Sequence, residues 1–262
     1  MEVSLNNTER DLFISRISKF PNLKRILLKR LPKELKKYYS ADEFSIFSIA
    51  ISDQKYWSDF LERLNELVVK NELYSEKRIR VKLFDNVFTF LTELEFGNYL
   101  IKANISPETD VKYFRAKDID YKLPSNLYIE ITTPRINQTD RETWLKEATA
   151  VPITFGVDQT IISKIEKQDM LSAIKNGFTE PIILLINGDY RGIDEIAIEA
   201  CRDKLEKEHH DEFSAISGIL LKRFENYIFT PNNWAKNRLT EDNLKLLKRL
   251  GIFYNRYTKV HK

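Results

Sequence analysis

The residues best suited to chemistry in this chain are two carboxylates, Asp120 and Glu130, each set inside a run with strand character. From Lys117 to Leu123 polar and apolar residues alternate, and Leu127 to Thr132 reads Leu-Tyr-Ile-Glu-Ile-Thr, a β-branched and aromatic run with an acid inside it. Pro124, Ser125 and Asn126 separate the two, so a hairpin is expected. Alternation puts Asp118 and Asp120 on one face of the first strand, and Tyr128, Glu130 and Thr132 on one face of the second. Carboxylates on a half-buried sheet face are costly unless paired or bound to a cation, and a hard divalent metal is the natural partner. The competing reading is that Glu130 pairs with Arg115 or Lys117 on a neighbouring strand.

Other chemistries find little material. One cysteine, Cys201, excludes a disulfide framework or a Cys-based zinc site, three histidines leave little for a His-rich one, and a reducing cytoplasm is the expected setting. No apolar run reaches the roughly 18 residues of a membrane span, and the first residues lack a signal-type apolar segment, so a soluble, unprocessed chain is expected. The net charge of +3 is unevenly spread. Ten Lys/Arg face four Asp/Glu over residues 1–37 and six face none over 244–262, leaving the middle acidic. Basic ends around an acidic centre suit a polyanion partner, although a solvated helix face carries charge in the same way.

The elements that must position the pair follow from periodicity. Residues 6–74 read as helices: Asn7 caps Thr8–Lys19, Pro21 opens a second helix, Asp42 caps a third, and Ser52 or Asp53 starts a longer one. Trp57, Phe60, Leu61, Leu64, Leu67 and Val68 of that last helix share a face. A polar stretch, 71–85, with a short strand at Arg78–Leu83, suggests a boundary near residue 80. The helix expected over Val87–Ala103 carries Glu93, with Phe96, Gly97 and Leu100 on its face, and Glu95 as the alternative acid. After a strand at Val111–Arg115 and the hairpin, residues 133–159 look like a long loop holding Arg135, Arg141 and Lys146. A helix from Asp158 or Thr160 to Lys175 brings Lys164, Lys167 and Gln168 in its first turns. Pro181–Asn187 is apolar throughout, as for a strand buried on both faces; Asp194–Lys207 is helical and Phe213–Leu221 another strand. The fold class is α/β: a mixed central sheet flanked by helices, with an N-terminal all-helical subdomain. The expected divisions are 1–80, 81–230 and a basic aromatic segment, 231–262, with a short helix at Glu241–Leu250.

Glu93-Leu94 with Leu100, then Asp120, then Ile129-Glu130-Ile131-Thr132-Thr133-Pro134, then a helix with Lys164, Lys167 and Gln168, resembles the PD-(D/E)xK (restriction endonuclease-like) nuclease superfamily over about residues 88–221. The departure is Thr132, which stands where the superfamily has its lysine. The resemblance implies a nuclease that hydrolyses phosphodiesters of nucleic acid, DNA being expected over RNA, with homodimerisation open. It implies Mg²⁺ or Mn²⁺ held by Asp120, Glu130, the Ile131 carbonyl and Glu93, with Glu95, Thr132 and Gln168 in support. Either a lysine has migrated to the following helix, or the fold survives as an inactive nucleic-acid-binding or scaffold module. Of the two lysines, Lys164 shares a face with Ile161, Gln168 and Leu171, whereas Lys167 is offset by about 60°, which favours Lys164. A third reading, partner binding by the N-terminal helices, draws on residues 6–74 alone.

Overall fold

The structure, a computed structural model, describes residues 7–30, 46–51, 55–134, 156–189, 192–255 and 257. The expected cap at Asp42, the start at Ser52 or Asp53, and Arg135, Arg141 and Lys146 lie outside them. The chain divides into two compact units, 1–102 and 103–262, so the division does not fall near residue 80, and 231–262 belongs with the second unit. Among the described residues no helix is long and apolar enough to cross a membrane.

The described part of the first unit is helical: α1 (Asn7–Ile17), α2 (Pro21–Leu27), α3 (Ile46–Ile51), α4 (Lys55–Lys70), α5 (Glu76–Asp85) and α6 (Val87–Lys102). Pro21 opens α2, where its missing N–H costs nothing. The α4 stripe is core, with Phe60, Leu61, Leu64 and Val68 buried and Leu67 half-buried. The strand expected at Arg78–Leu83 is instead part of α5. The Ser75 hydroxyl caps it by accepting from the Arg78 N–H, and Ile79 and Leu83, four apart, bury one face. A cap plus helical spacing outweighs the strand propensity of a short run. Asn86 then caps α6 through the Thr89 N–H, so the two helices abut without a linker.

The second unit carries a seven-stranded mixed sheet in sequence order. Its strands are β1 (Glu108–Phe114), β2 (Lys117–Leu123), β3 (Leu127–Thr132), β4 (Ile182–Asn187), β5 (Gly218–Arg223), β6 (Asn226–Pro231) and β7 (Phe253–Tyr254). The pairs β1–β2, β2–β3 and β5–β6 are antiparallel; β3–β4, β4–β5 and β6–β7 are parallel. The parallel centre needs crossovers, supplied by α7 (Val157–Lys167) and α8 (Met170–Lys175) before β4, and by α9 (Glu195–Glu208) and α10 (His210–Phe213) before β5. Ile182, Leu184 and Ile186 of β4 pack with Ile161 and Ile165 of α7 and Ile198 and Cys201 of α9 in one buried cluster. The alternate residues Ile183 and Leu185 are also fully buried, which accounts for the unbroken apolar run of β4.

Three expectations shift here. The helix expected to run to Lys175 is two, broken where Asp169 takes a left-handed conformation (φ 54°), so Lys164 and Lys167 lie in the last turn of α7 rather than in its first turns. The strand expected from Phe213 starts at Gly218, Phe213 ending α10 instead. A Cβ at Gly218 would stand 2.6 Å from the Thr230 carbonyl oxygen and 2.5 Å from the Phe229 ring, so glycine is what allows β5 and β6 to pair there. Finally, β6 and β7 extend the sheet into the segment read as a basic aromatic tail, and α11 (Glu241–Arg249) lies between them in sequence.

Candidate functional site

The β2–β3 hairpin forms as its alternation requires. Ser125 and Asn126 both take positive φ (62° and 51°) after Pro124, and the turn is anchored by Asn243 of α11, whose amide donates to the Ser125 carbonyl (2.9 Å). The ladder is regular from Leu123↔Leu127 to Tyr121↔Ile129. At the next residues side chains replace backbone acceptors. The Asp120 N–H donates to Glu130 Oε2 (3.2 Å), and the Ile131 N–H donates to Asp120 Oδ2 (2.8 Å). Each carboxylate therefore caps the strand that carries the other, which holds both at one point of the sheet.

Helix α7 completes the cluster. Ile161 and Ile165 seat it on the sheet, and that puts Lys164 and Gln168, one turn apart, over Glu130. Lys164 Nζ stands 2.6 Å from Glu130 Oε1, and the Gln168 amide donates to the same oxygen at 2.6 Å. Lys167 is exposed. Gln168 sits at the break between α7 and α8, where its backbone carbonyl accepts from the Tyr113 hydroxyl of β1. Tyr113 in turn packs edge-on against Phe178, as does Tyr128, forming an aromatic wall beside the cluster.

Glu130 is 1% exposed, and its electrostatics follow from that. Burial, then the neighbouring Asp120 charge, pushes its carboxyl up to about 7, against the opposing pull of Lys164 and Gln168. Burial, with the charges of Glu130 and Asp169, likewise pushes the Tyr113 phenol up, so it stays protonated and serves as a donor.

The structure thus brings together Asp120, Glu130, Ile131, Lys164 and Gln168. Glu93 and Glu95 belong to the other unit, where Glu93 Oε2 accepts from Lys82 and the Tyr74 hydroxyl and Glu95 pairs with Arg63. Glu130 pairs with Lys164, not with Arg115 or Lys117. Thr132 ends β3, buried, with no ammonium of its own to offer. Sequence reasoning missed Tyr113 and Phe178. Tyr113 is one more aromatic in an alternating strand, and nothing local marks its reach to Gln168.

An oxygen-only donor set suits a hard cation. Oε2 of Glu130 and Oδ2 of Asp120 each accept a backbone N–H, and Glu130 Oε1 accepts from Lys164 and Gln168. Among the described residues no group of three or more His, Cys, Asp or Glu is gathered to hold a metal. The donor chemistry of Asp120 and Glu130 therefore suits a cation, with Glu130 Oε1 shared with Lys164 and Gln168. Set against known proteins, the chain finds no counterpart: no family model, no curated protein and no solved structure matches it.

Proposed function

We propose that this chain is a metal-dependent nuclease of the PD-(D/E)xK type, acting on phosphodiester bonds of DNA in a reducing, cytoplasmic setting. The observation that carries the reading is the interlock of Asp120 and Glu130 with a lysine from the following helix on the same carboxylate. A bound Mg²⁺ or Mn²⁺ would polarise the phosphate and lower the pKa of water. Asp120, Glu130 and the Ile131 carbonyl would hold that ion. Lys164, standing in for the residue that Thr132 is not, would bring its ammonium to a phosphate oxygen and offset developing charge, which a threonine hydroxyl cannot do. Gln168, fixed through Tyr113, would keep Glu130 oriented once Lys164 has moved.

The filled Oε1 favours a second reading, a nucleic-acid-binding or scaffold protein that keeps the fold without catalysis. The two separate in a cleavage assay on supercoiled and single-stranded DNA with Mg²⁺ or Mn²⁺. The nuclease reading expects wild type and Lys167→Ala to cut and Lys164→Ala and Glu130→Gln to lose about a hundredfold or more in rate at unchanged DNA affinity, the order of size for a charge-stabilising group. Equal activity in Lys164→Ala and Lys167→Ala sinks the migrated lysine, and no cleavage by wild type with either metal favours the binding module.

A further inference from the structure

In the helical unit, α2 is fixed at both ends against its neighbours. The N–H groups of its first turn, from Asn22 and Leu23, donate to Asn65 Oδ1 of α4 (2.9 and 3.2 Å), and Leu23, Ile26 and Leu27 are buried. At its other end the Glu76 carboxylate, which opens α5, accepts from Arg25 and stands 3.7 Å from Lys29. One carboxylate thus gathers two cations, whose side chains remain 57% and 68% exposed. Helix α5 adds two more: Arg80 lies one turn after Glu76 on the same face, and Lys77 three residues before Arg80. Lys77 is exposed, as is Lys24 beside Arg25. Among the described residues no carboxylate pairs with Lys24, Lys77 or Arg80.

Stability does not account for this surplus. Exposed ion pairs add little, and like charges on neighbouring turns work against the fold. The exposed face of α4, in the same unit, is balanced instead: Asp59, Glu62 and Glu66 stand with Arg63 and Lys70, Lys70 lying 3.6 Å from Glu66 and Arg63 2.5 Å from Glu95. The α2–α5 joint therefore calls for negative charge from outside. An anionic membrane surface would need an apolar helix face to insert, and α5 buries its own, formed by Ile79, Leu83 and Phe84. An acidic protein would need aromatic or aliphatic anchors, and on the described residues of α2 and α5 the one large apolar side chain exposed is Val81. The phosphate backbone of nucleic acid needs neither, because cations spaced along a polar surface suffice to bind it.

We infer that the α2–α5 joint, through Arg25, Lys29, Lys77 and Arg80, is a docking surface for the phosphate backbone of nucleic acid. It goes beyond the proposed function, sharing its partner class but standing on the other unit of the chain. The test is fluorescence anisotropy of the full chain, in EDTA, with a labelled mixed-sequence duplex of about 20 base pairs, titrated between about 50 and 200 mM salt. Wild type is expected to bind, with log affinity falling linearly against log salt. Lys77→Ala/Arg80→Ala removes two cations that hold no ion pair among the described residues; it should weaken binding about tenfold or more and lower the salt slope by about 1.8. Glu76→Gln removes the acid and releases Arg25 and Lys29, so it should tighten binding severalfold, whereas a purely structural joint would give a lower melting temperature and no gain. Lys245→Ala, which removes an exposed cation of α11, should leave affinity unchanged. The loss in Lys77→Ala/Arg80→Ala should be the same in the Glu130→Gln background, and it holds even where wild type cuts no DNA with metal. Cleavage by wild type together with undiminished binding by Lys77→Ala/Arg80→Ala would overturn the inference and leave the nuclease reading in place. An equal loss in Lys245→Ala, no tightening in Glu76→Gln, or displacement of the duplex by polyglutamate as readily as by unlabelled duplex of equal charge would overturn it too.

Discussion

Glu130 is a buried carboxylate on which a lysine and an amide converge. Its carboxyl is buried, faces Asp120, and titrates near 7 rather than in the usual carboxylate range. In the unfolded chain it titrates near 4.5, the ordinary value. Between those two pH values the folded state holds a proton that the unfolded state has lost, so stability is full below about 4.5 and falls as pH rises through 7. The loss amounts to a few kcal/mol at most, since each tenfold difference in proton affinity between the two states is worth about 1.4 kcal/mol. Glu130→Gln removes that proton linkage. Melting temperatures of the two proteins, followed in metal-free buffer from pH 4 to 8, should diverge in favour of the variant as pH rises, whatever constant offset the loss of the ion pair with Lys164 adds. Parallel curves would mean that Glu130 is ionised throughout, already neutralised by Lys164.

At the scale of elements, the site depends on which regularities hold and where they fail. The hairpin was legible because period-two alternation and a Pro-Ser-Asn turn name both strands and their faces, and so Asp120 and Glu130 as neighbours. Lys164 was legible by its position relative to Ile161, and the structure puts it on Glu130. The break after Lys167 was not: Asp169 adopts positive φ in a run without glycine or proline, and only tertiary contacts such as Tyr113 to Gln168 mark it. Strand β6 was missed because its neighbours β5 and β7 were misplaced or unseen, and an edge strand of two residues has no periodicity to read. The tie between α11 and the hairpin turn is equally non-local. Asn243 is fully buried; its side-chain oxygen accepts from the Thr240 N–H, closing the cap of α11, while its amide holds the Ser125 carbonyl. Asn243→Ala removes both bonds and leaves two backbone groups without their partner, so it should cost about 1–3 kcal/mol in urea unfolding. Asn243→Asp keeps the cap oxygen but buries a charge and turns a second acceptor onto the Ser125 carbonyl, so it should be no more stable than Asn243→Ala. Equal stability of all three proteins would show that the turn holds itself.

For the whole molecule, the question is whether a cation adds to its stability and through which residues. Any ligand that binds only the folded state raises the free energy of unfolding by RT ln(1 + [L]/Kd), about 1.4 kcal/mol at ten times Kd. The pair Asp120–Glu130 exists as a site only in the folded chain, because residues ten apart converge through the hairpin. Lys164 opposes the cation by filling Glu130 Oε1 and by leaving the three groups with a net charge of about −1 instead of −2. Two opposite shifts therefore follow. At pH 8, above the range in which Glu130 takes up a proton, Mg²⁺ or Mn²⁺ should raise the melting temperature of wild type, and chelation should reverse it. Glu130→Gln should abolish the increment. Lys164→Met frees an oxygen and restores the full negative charge, so it should enlarge the increment and tighten calorimetric metal binding, even though the proposed function expects loss of this lysine to slow cleavage. A lysine that helps hold the ion would give the reverse order, with Lys164→Met weaker than wild type. Identical melting with and without metal in all three proteins would remove the cation site and leave the pair as a neutralised structural clasp between β2, β3 and α7.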